Sequence, residues 1–421
     1  MKISIHTLGT RGDVQPYLAL ALALIRAGHQ VLLAAPQQFA GLIEGQGVPF
    51  APLPAGFLDL LDTPQGKAAI ARGRGFSGGL KLLKHVRPLM RELFDAEWRA
   101  AAGFSPDLIV HHPKSLASPH MAEKLGVEAL LASPLPGFTP TAAFPSPLLP
   151  FRTLGPLNRA SHRLAIQGGQ TLFRRAIAQW RASVLGLDGA GAGRAPVRTL
   201  YAYSPAVLPR PADWSDDVCV SGYWVLDAPW APPADLAAFL SAGDRPVYVG
   251  FGSMPGIDPR ELTETVAAAL ARAGRRGVLA TGGGALTPIA AGPHVHFIDA
   301  APHTALLPLM SAALHHGGAG TTGASLSAGL PTIVCPFMGD QPFWARRVHD
   351  LGAGPAPLDR RRLTADALAR AFDAAAQPGM ARAAGRLAGR IAQEDELATA
   401  VGFIEGAPRR SGERRQGAAP R

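Results

Sequence analysis

The stretch HHGGAGTTGASLSAGLPTIVCPFMGDQPFWARRVHDL, residues 315–351, decides how the rest of the chain is read. An apolar run at residues 310–314 delivers the chain to His315 and His316, and then to a loop of small residues. Gly317, Gly318 and Gly320 let the backbone approach a ligand closely, and Thr321 and Thr322 add hydroxyls. A helix-forming segment follows at residues 324–328. A Gly-rich turn that opens a helix is a ready anion site, because unpaired N–H groups and the positive helix end face the ligand together. Downstream, the apolar run at residues 332–337 ends in Gly339-Asp340-Gln341, which sets a carboxylate and an amide at the C-terminal end of a strand. Phosphate on one side and polyol-binding groups on the other point to a nucleotide sugar.

Working outward, the same strand–turn–helix grammar appears at the start of the chain. Residues 2–8 form an apolar strand, Gly9-Thr10-Arg11-Gly12-Asp13 a turn, residues 15–27 a helix closed by Gly28, and residues 31–35 the next strand. Strands at 108–112 and 129–132, separated by a helix at 118–125, continue the pattern, and 199–203 reads as one more. After a proline-rich connection the pattern restarts. Strands are expected at 246–251, 276–280, 294–298, 312–315 and 332–335, with a helix at 258–273 and mainly helices from 364 to 404. The expected fold class is α/β with two Rossmann-like domains. Residues 1–205 form the first, 206–245 the connection, 246–405 the second, and 406–421 a disordered basic tail. Two α/β domains in succession place the ligand site in the cleft between their strand ends.

Composition removes several function classes. The chain of 421 residues is 47% hydrophobic and 17% charged, which describes a globular protein with room for two cores. Of its net charge of +10, residues 406–421 supply +4, five arginines against Glu413, and the remaining +6 is spread over the rest of the chain. No aromatic-interleaved basic patch accompanies that charge, so a nucleic-acid partner is not expected. Weak peripheral attraction to an anionic membrane surface is the secondary expectation. Cys219 and Cys335 are far apart and fit no metal spacing, as for thiols in a reducing compartment. The first residues read as a strand and not as a signal peptide, and no apolar run reaches the roughly 18 residues that a membrane span needs. The expected location is cytoplasmic, at most peripheral at the inner membrane surface.

The candidate chemistry rests on few residues. Asp13, in the first turn of a helix, can act simply as an N-cap. A carboxylate there also points into the cleft, where a general base would take the proton of an attacking hydroxyl. One of the adjacent His315 and His316 must face the core, which leaves the other beside the glycines for a phosphate. Thr321 and Thr322 are either phosphate donors or helix caps. Gly252-Ser253 and Gly282-Gly283-Gly284 are weaker anion loops. Asp-x-Asp does not occur in the chain, and a metal-dependent transferase usually needs paired carboxylates on its cation. The chemistry expected is therefore metal-independent and free of cofactors. Residues 134–151 carry six prolines, with Phe138, Phe144 and Phe151 between them. They form either a loop pinned on the core or, together with a helix at 80–93, an apolar wall for a hydrophobic acceptor.

Taken together, TLGTRGDVQPYLALALALIRAGHQV, PVYVGFGSM and HHGGAGTTGASLSAGLPTIVCPFMGDQPFWARRV resemble the UDP-glycosyltransferase superfamily over residues 1 to 405. The resemblance is greatest to its sterol 3-beta-glucosyltransferase-like branch and to bacterial natural-product transferases. It implies a GT-B fold, with the C-terminal helices returning toward the N-terminal domain, and inverting transfer from a nucleotide sugar. It makes Asp13 the catalytic base. Ser253, His316, Gly317, Gly318, Thr321 and Thr322 become diphosphate contacts, and Asp340 and Gln341 the pair that holds the transferred sugar. Ala301 and His303 lie at the nucleobase and ribose. Ala300 stands where plant members carry a tryptophan, and Ala324 where they carry a glutamate, which leaves UDP and dTDP both open. The expected partners are a UDP-sugar and a hydrophobic small-molecule acceptor. A nucleotide-sugar 2-epimerase and a non-catalytic sugar- or lipid-binding protein are the rival readings.

Overall fold

The computed structural model describes residues 1–54, 56, 76–188, 198–227, 229–254 and 256–406. The tail beyond residue 406 and the side chains of residues 80–87 in the expected acceptor helix lie outside these. The first half of the chain runs β1 (Lys2–His6), α1 (Arg11–Arg26), β2 (Gln30–Pro36), α2 (Ala40–Glu44), β3 (Phe50–Leu53), α3 (Phe76–Phe104), β4 (Leu108–His111), α4 (Ser118–Leu125), β5 (Glu128–Ser133), α5 (Asn158–Trp180), β6 (Arg198–Tyr201) and β7 (Val218–Val220). The second half runs α6 (Ala234–Ser241), β8 (Val247–Gly250), α7 (Pro259–Arg272), β9 (Gly277–Ala280), β10 (Val295–Ile298), α8 (His303–Leu306), β11 (Ala312–His315), α9 (Ala319–Ser327), β12 (Thr332–Val334), α10 (Gln341–Asp350), α11 (Ala365–Ala375), α12 (Pro378–Ile391) and α13 (Glu396–Glu405).

The strands form two separate sheets, ordered β3-β2-β1-β4-β5-β6-β7 and β10-β9-β8-β11-β12. Every pairing is parallel, with Ile3 opposite both Val31 and Leu108 in the first sheet and Leu314 opposite both Val249 and Ile333 in the second. Parallel strands are covered on both faces, so they need unbroken apolar runs. Strands β4, β8 and β11 are buried along their whole length. In each sheet the strand order reverses once, between β1 and β4 and between β8 and β11. Loops leave in opposite directions at such a point, and the crevice they open is where doubly wound sheets bind ligands.

The expected two-sheet α/β architecture is present, with four local corrections. Helix α1 begins at Arg11 and not at 15, because the Asp13 and Val14 N–H groups already bond the Thr10 carbonyl, at 2.9 and 3.2 Å. Strand β3 was missing from the sequence reading. So was the full extent of α3 and α5, which carry Gly78-Gly79, Pro88 and Gly168-Gly169. Tertiary packing overrides those breakers: the Phe94 and Trp180 rings lie 5.4 Å apart, and Trp180 Nε1 donates to Asp95 Oδ1 at 2.9 Å. Finally, the stretch expected as a connection gives β7 to the first sheet and Leu236 of α6 to the core beneath the second. Cys219 and Cys335 are free, and among the described residues no helix is long and apolar enough to cross a membrane.

The chain crosses between the two sheets twice, and the crossings touch. Glu394 Oε1 accepts from Ser204 Oγ at 2.6 Å and from the Ala206 N–H at 3.2 Å, and Gly222 packs against Glu396. Helix α13 then lies on α1, where Ala400 and Ile404 complete the core of the first sheet. The Arg198 guanidinium stacks on the Phe403 ring at 4.0 Å and donates to the Phe403 carbonyl. Ile404 is fully buried, so Ile404→Ala should destabilise the protein by about 2–5 kcal/mol, the usual cost of such a cavity. Thermal unfolding followed by circular dichroism checks this, and an unchanged midpoint would remove α13 from the first core.

Candidate active site

Both switch points carry the residues singled out from sequence. At the first, Gly9 has φ +136°, and a Cβ there would lie 2.1 Å from Asp13 Oδ2. Only glycine lets the carboxylate fold back over the turn. In that position Asp13 Oδ2 accepts from the Thr10 N–H at 2.8 Å and from Thr10 Oγ1 at 3.1 Å. Thr10 is therefore the N-cap and Asp13 the third residue of the helix, reaching back as the acidic half of a capping box. Its other oxygen faces two groups that the sequence reading did not single out. Lys114 Nζ donates to Asp13 Oδ1 at 2.9 Å, and His112 Nε2 lies 3.3 Å from the same oxygen.

Lys114 and His112 belong to the loop that leaves β4, across the crevice from β1. The signal was the His111-His112-Pro113-Lys114 sequence just beyond a strand beside β1. Strand adjacency is a property of topology, however, and does not appear in the local pattern. Burial alone would raise the Asp13 carboxyl, but the Lys114 ammonium and then His112 hold it well below the usual carboxylate range. Burial pushes the His112 imidazole down against the pull of Asp13. Asp13 is thus ionised at any ordinary pH, and its negative charge is met by one ammonium and one buried ring.

At the second switch point the two histidines divide as expected. His315 is fully buried: Nδ1 accepts from the Gly317 N–H at 2.9 Å, and Nε2 is 3.2 Å from Ser325 Oγ. It pins the glycine loop to helix α9. Gly317 has φ +90°, and a Cβ there would meet Val334 at 2.6 Å, so this turn also needs glycine. His316 turns the other way, its ring lying against Gly252 and Gly318. Burial holds its pKa down to about 4, so at neutral pH it can donate one N–H but brings no charge. Its Nδ1 is buried without a hydrogen bond of normal geometry, and so is Thr322 Oγ1. The Gly250 backbone lies beside the His316 ring, and Thr322 is fully buried within α9. Gly318 caps α9, whose first-turn N–H groups have no acceptor within the helix. Thr321 is half-buried in that turn, whereas Thr322 is fully buried.

The remaining candidates are distributed around this loop. Ser253 is exposed on the turn after β8. The Gly282–Gly284 turn supports it: a Cβ on Gly283 would fall 2.1 Å from Gly252, and the Ala285 N–H donates to the Gly252 carbonyl at 3.1 Å. That third glycine turn is a buttress and not an anion loop. Asp340 caps α10, and its Oδ2 accepts from Trp344 Nε1 at 2.9 Å. Burial raises its pKa, and Asp13 raises it further from the opposite body. Gln341 Oε1 is committed to the Phe337 and Met338 N–H groups at 2.7 and 3.0 Å. Its Nε2 reaches only Met254 Sδ at 3.2 Å, a weak acceptor that a hydroxyl oxygen would displace. His303 opens α8 with Nε2 3.1 Å from the Tyr248 hydroxyl, and burial, then Arg11, holds its pKa down to about 4. Ala301 is half-buried beside it. The Arg11–His303 and Asp13–Asp340 couplings run between the two bodies, so the switch points face one another.

The acceptor-side expectation fares differently. Phe144 is not a free wall residue, because its ring packs 5.6 Å from Phe343 of α10 and 5.7 Å from His162. Phe138 is half-buried, with its N–H on the Tyr201 hydroxyl at 3.2 Å. Phe151 is 50% exposed. The three rings occupy three different settings, and they do not form a single wall.

Comparison with known proteins agrees with this fold. Residues 3–144 match the glycosyltransferase family 28 N-terminal domain, and residues 279–399 the erythromycin biosynthesis protein CIII-like C-terminal domain. A sterol 3-beta-glucosyltransferase of Aspergillus terreus is 35% identical, with 96% of this chain aligned to 30% of that protein. A sterol 3-beta-glucosyltransferase of Arabidopsis thaliana is 33% identical, over 95% of this chain and 64% of its own length. The chain thus spans under two thirds of either relative. The solved glycosyltransferase SnogD from Streptomyces nogalater superposes with a TM-score of 0.69 at 22% identity, covering 96% of this chain and 99% of its own. VinC, solved in complex with dTDP, does so with a TM-score of 0.68 at 21% identity, over 97% of this chain and 100% of its own. The fold is GT-B, and over residues 3–144 and 279–399 the chain carries a glycosyltransferase family 28 N-terminal domain and an erythromycin biosynthesis protein CIII-like C-terminal domain.

Proposed function

We propose that this protein is an inverting glycosyltransferase that moves a hexose, glucose, from a UDP-sugar to a hydroxyl of a hydrophobic acceptor. The observation that carries the reading is the opposition of Asp13 to the His316–Thr321 loop. It sets an ionised base across the cleft from an anion-binding helix end. In this reading the acceptor hydroxyl approaches Asp13 and gives up its proton as it attacks the anomeric carbon. The α9 N–H groups, His316, Thr321 and Ser253 meet the charge that develops on the departing diphosphate, as preorganised dipoles that need no reorientation. His316 contributes there as a neutral donor. Asp340 and the Gln341 amide nitrogen hold the sugar for in-line attack. His303 and Ala301 take the nucleoside end, and no metal or cofactor enters any step. The sterol glucosyltransferase relatives support glucose and a sterol-like acceptor, and the dTDP bound to VinC keeps dTDP-sugars in the test.

Lys114 needs a place in this scheme. A carboxylate held far below its usual pKa is a weak base, so the ammonium must move aside, or share the carboxylate, when the acceptor arrives. Lys114 is 51% exposed and can do so at little cost.

The deciding experiment incubates UDP-glucose and dTDP-glucose in parallel with a mixed library of hydrophobic alcohols and reads glycosides by mass spectrometry. Product from neither donor would return the protein to the class of non-catalytic binders. Isomerised donor formed without acceptor would favour an epimerase. Asp13→Asn should lower kcat by two or more orders of magnitude, the usual span of general-base catalysis, while UDP affinity by calorimetry stays near that of the parent. Full activity in that variant would end the assignment of the base. Lys114→Met removes the cation that depresses the Asp13 pKa. The acid limb of the pH–rate profile should then move to higher pH, and an unmoved limb would show that Lys114 does not tune the carboxylate.

A further inference from the structure

Six large apolar side chains among the described residues are more than a third exposed, and four of them fall within residues 148–164. Leu148 is 49% exposed, Phe151 50%, Leu157 62% and Leu164 70%. Leu157 caps α5 and Leu164 stands seven residues on, about two helical turns, on its exposed side, and Arg175 continues the same line. The buried side of the helix is carried by His162 and Trp180. Arg163 and Arg174 flank the apolar line, and both are exposed.

The charge around this patch has one sign. Between Glu128 and Asp188 the sequence holds six arginines and no acidic residue. Three of them have carboxylate partners elsewhere: Arg152 on Asp350 at 3.1 Å, Arg159 on Asp213 at 2.6 Å and Arg181 on Glu123 at 2.8 Å. Among the described residues, Arg163, Arg174 and Arg175 have no such partner. Exposed leucines beside unneutralised arginines match the two layers of an anionic lipid surface, acyl boundary and headgroup. A protein partner would more often present mixed charge with an aromatic anchor. The patch also meets the second body, since Arg346 of α10 donates to the Phe151 carbonyl at 3.3 Å.

We propose that Leu148, Phe151, Leu157 and Leu164, with Arg163, Arg174 and Arg175, dock the protein on an anionic lipid bilayer. Docking needs no transfer chemistry, so its failure would leave the proposed reaction standing. The test is co-sedimentation of the full chain with phosphatidylcholine vesicles, with and without about 30% phosphatidylglycerol, at low and high salt. Leu157→Ser/Leu164→Ser and Arg163→Gln/Arg174→Gln/Arg175→Gln are measured beside the parent, with circular dichroism to show that each folds.

The parent should sediment only with the anionic vesicles, and less at high salt. The leucine pair should bind at least about tenfold more weakly, and the arginine triple about a hundredfold. The basic tail is identical in all three proteins, so the differences report on the patch. Parent-like binding by either variant, equal binding to neutral vesicles, or no binding by the parent would overturn the proposal. So would a dimer in light scattering that the leucine variant dissociates, because the patch would then be covered by a second copy.

Discussion

A parallel strand can leave its sheet only at its C-terminal end, and all functional geometry in this chain follows from that constraint. In both sheets the loops at the strand-order reversal emerge side by side with helix N-termini above them. The turn after β1 and the turn after β11 are the same solution reached twice. In each, a left-handed glycine bends the chain and a helix begins at once, with its unpaired N–H groups at the rim. What differs is the group each rim presents. The first keeps a carboxylate, which closes its own helix end, and the second leaves its helix end open. One rim therefore presents a carboxylate paired with Lys114 and the other presents unpaired N–H groups, and placing them face to face produces an asymmetric site.

The electrostatics of the cleft follow from how much water each group has lost. His303, His315 and His316 are driven neutral by burial. That side of the cleft therefore holds few fixed charges. Burial raises both Asp13 and Asp340, but Asp13 ends well below the usual carboxylate range because it alone has Lys114 and His112 in contact. Two carboxylates facing one cleft are thereby kept distinct, one firmly ionised and the other more readily protonated. Lys114 and His112 together make that difference.

Much of this was legible in the sequence. Residues 315–322 and Asp13 could be found because strand, glycine turn and helix follow one another without interruption, and local order is what a sequence records directly. His112 and Lys114 could not, since their relevance depends on β4 lying beside β1, a non-local fact. Helices α3 and α5 were obscured by internal glycine pairs and Pro88, which local propensity reads as breaks and which tertiary packing tolerates. Phe144 illustrates a third kind of failure. Its position on a proline-rich loop suggested a ligand wall, whereas its ring faces Phe343 across the gap between the bodies, a contact that only the assembled fold defines.

The adjacency of the two chain crossings has a mechanical consequence. Glu394 ties the returning segment to Ser204 and Ala206, and Glu396 sits against Gly222, so both links between the bodies pass through one small region. That region is continuous with a core the two bodies share: Tyr203, Val207 and Trp214 of the first are buried in one cluster with Phe343, Trp344 and Leu387 of the second, and Arg347 Nε donates to the Val207 carbonyl. Close-packed interiors resist sliding, so any change in the width of the cleft, between Asp13 on one side and the α9 helix end on the other, has to repack this shared core.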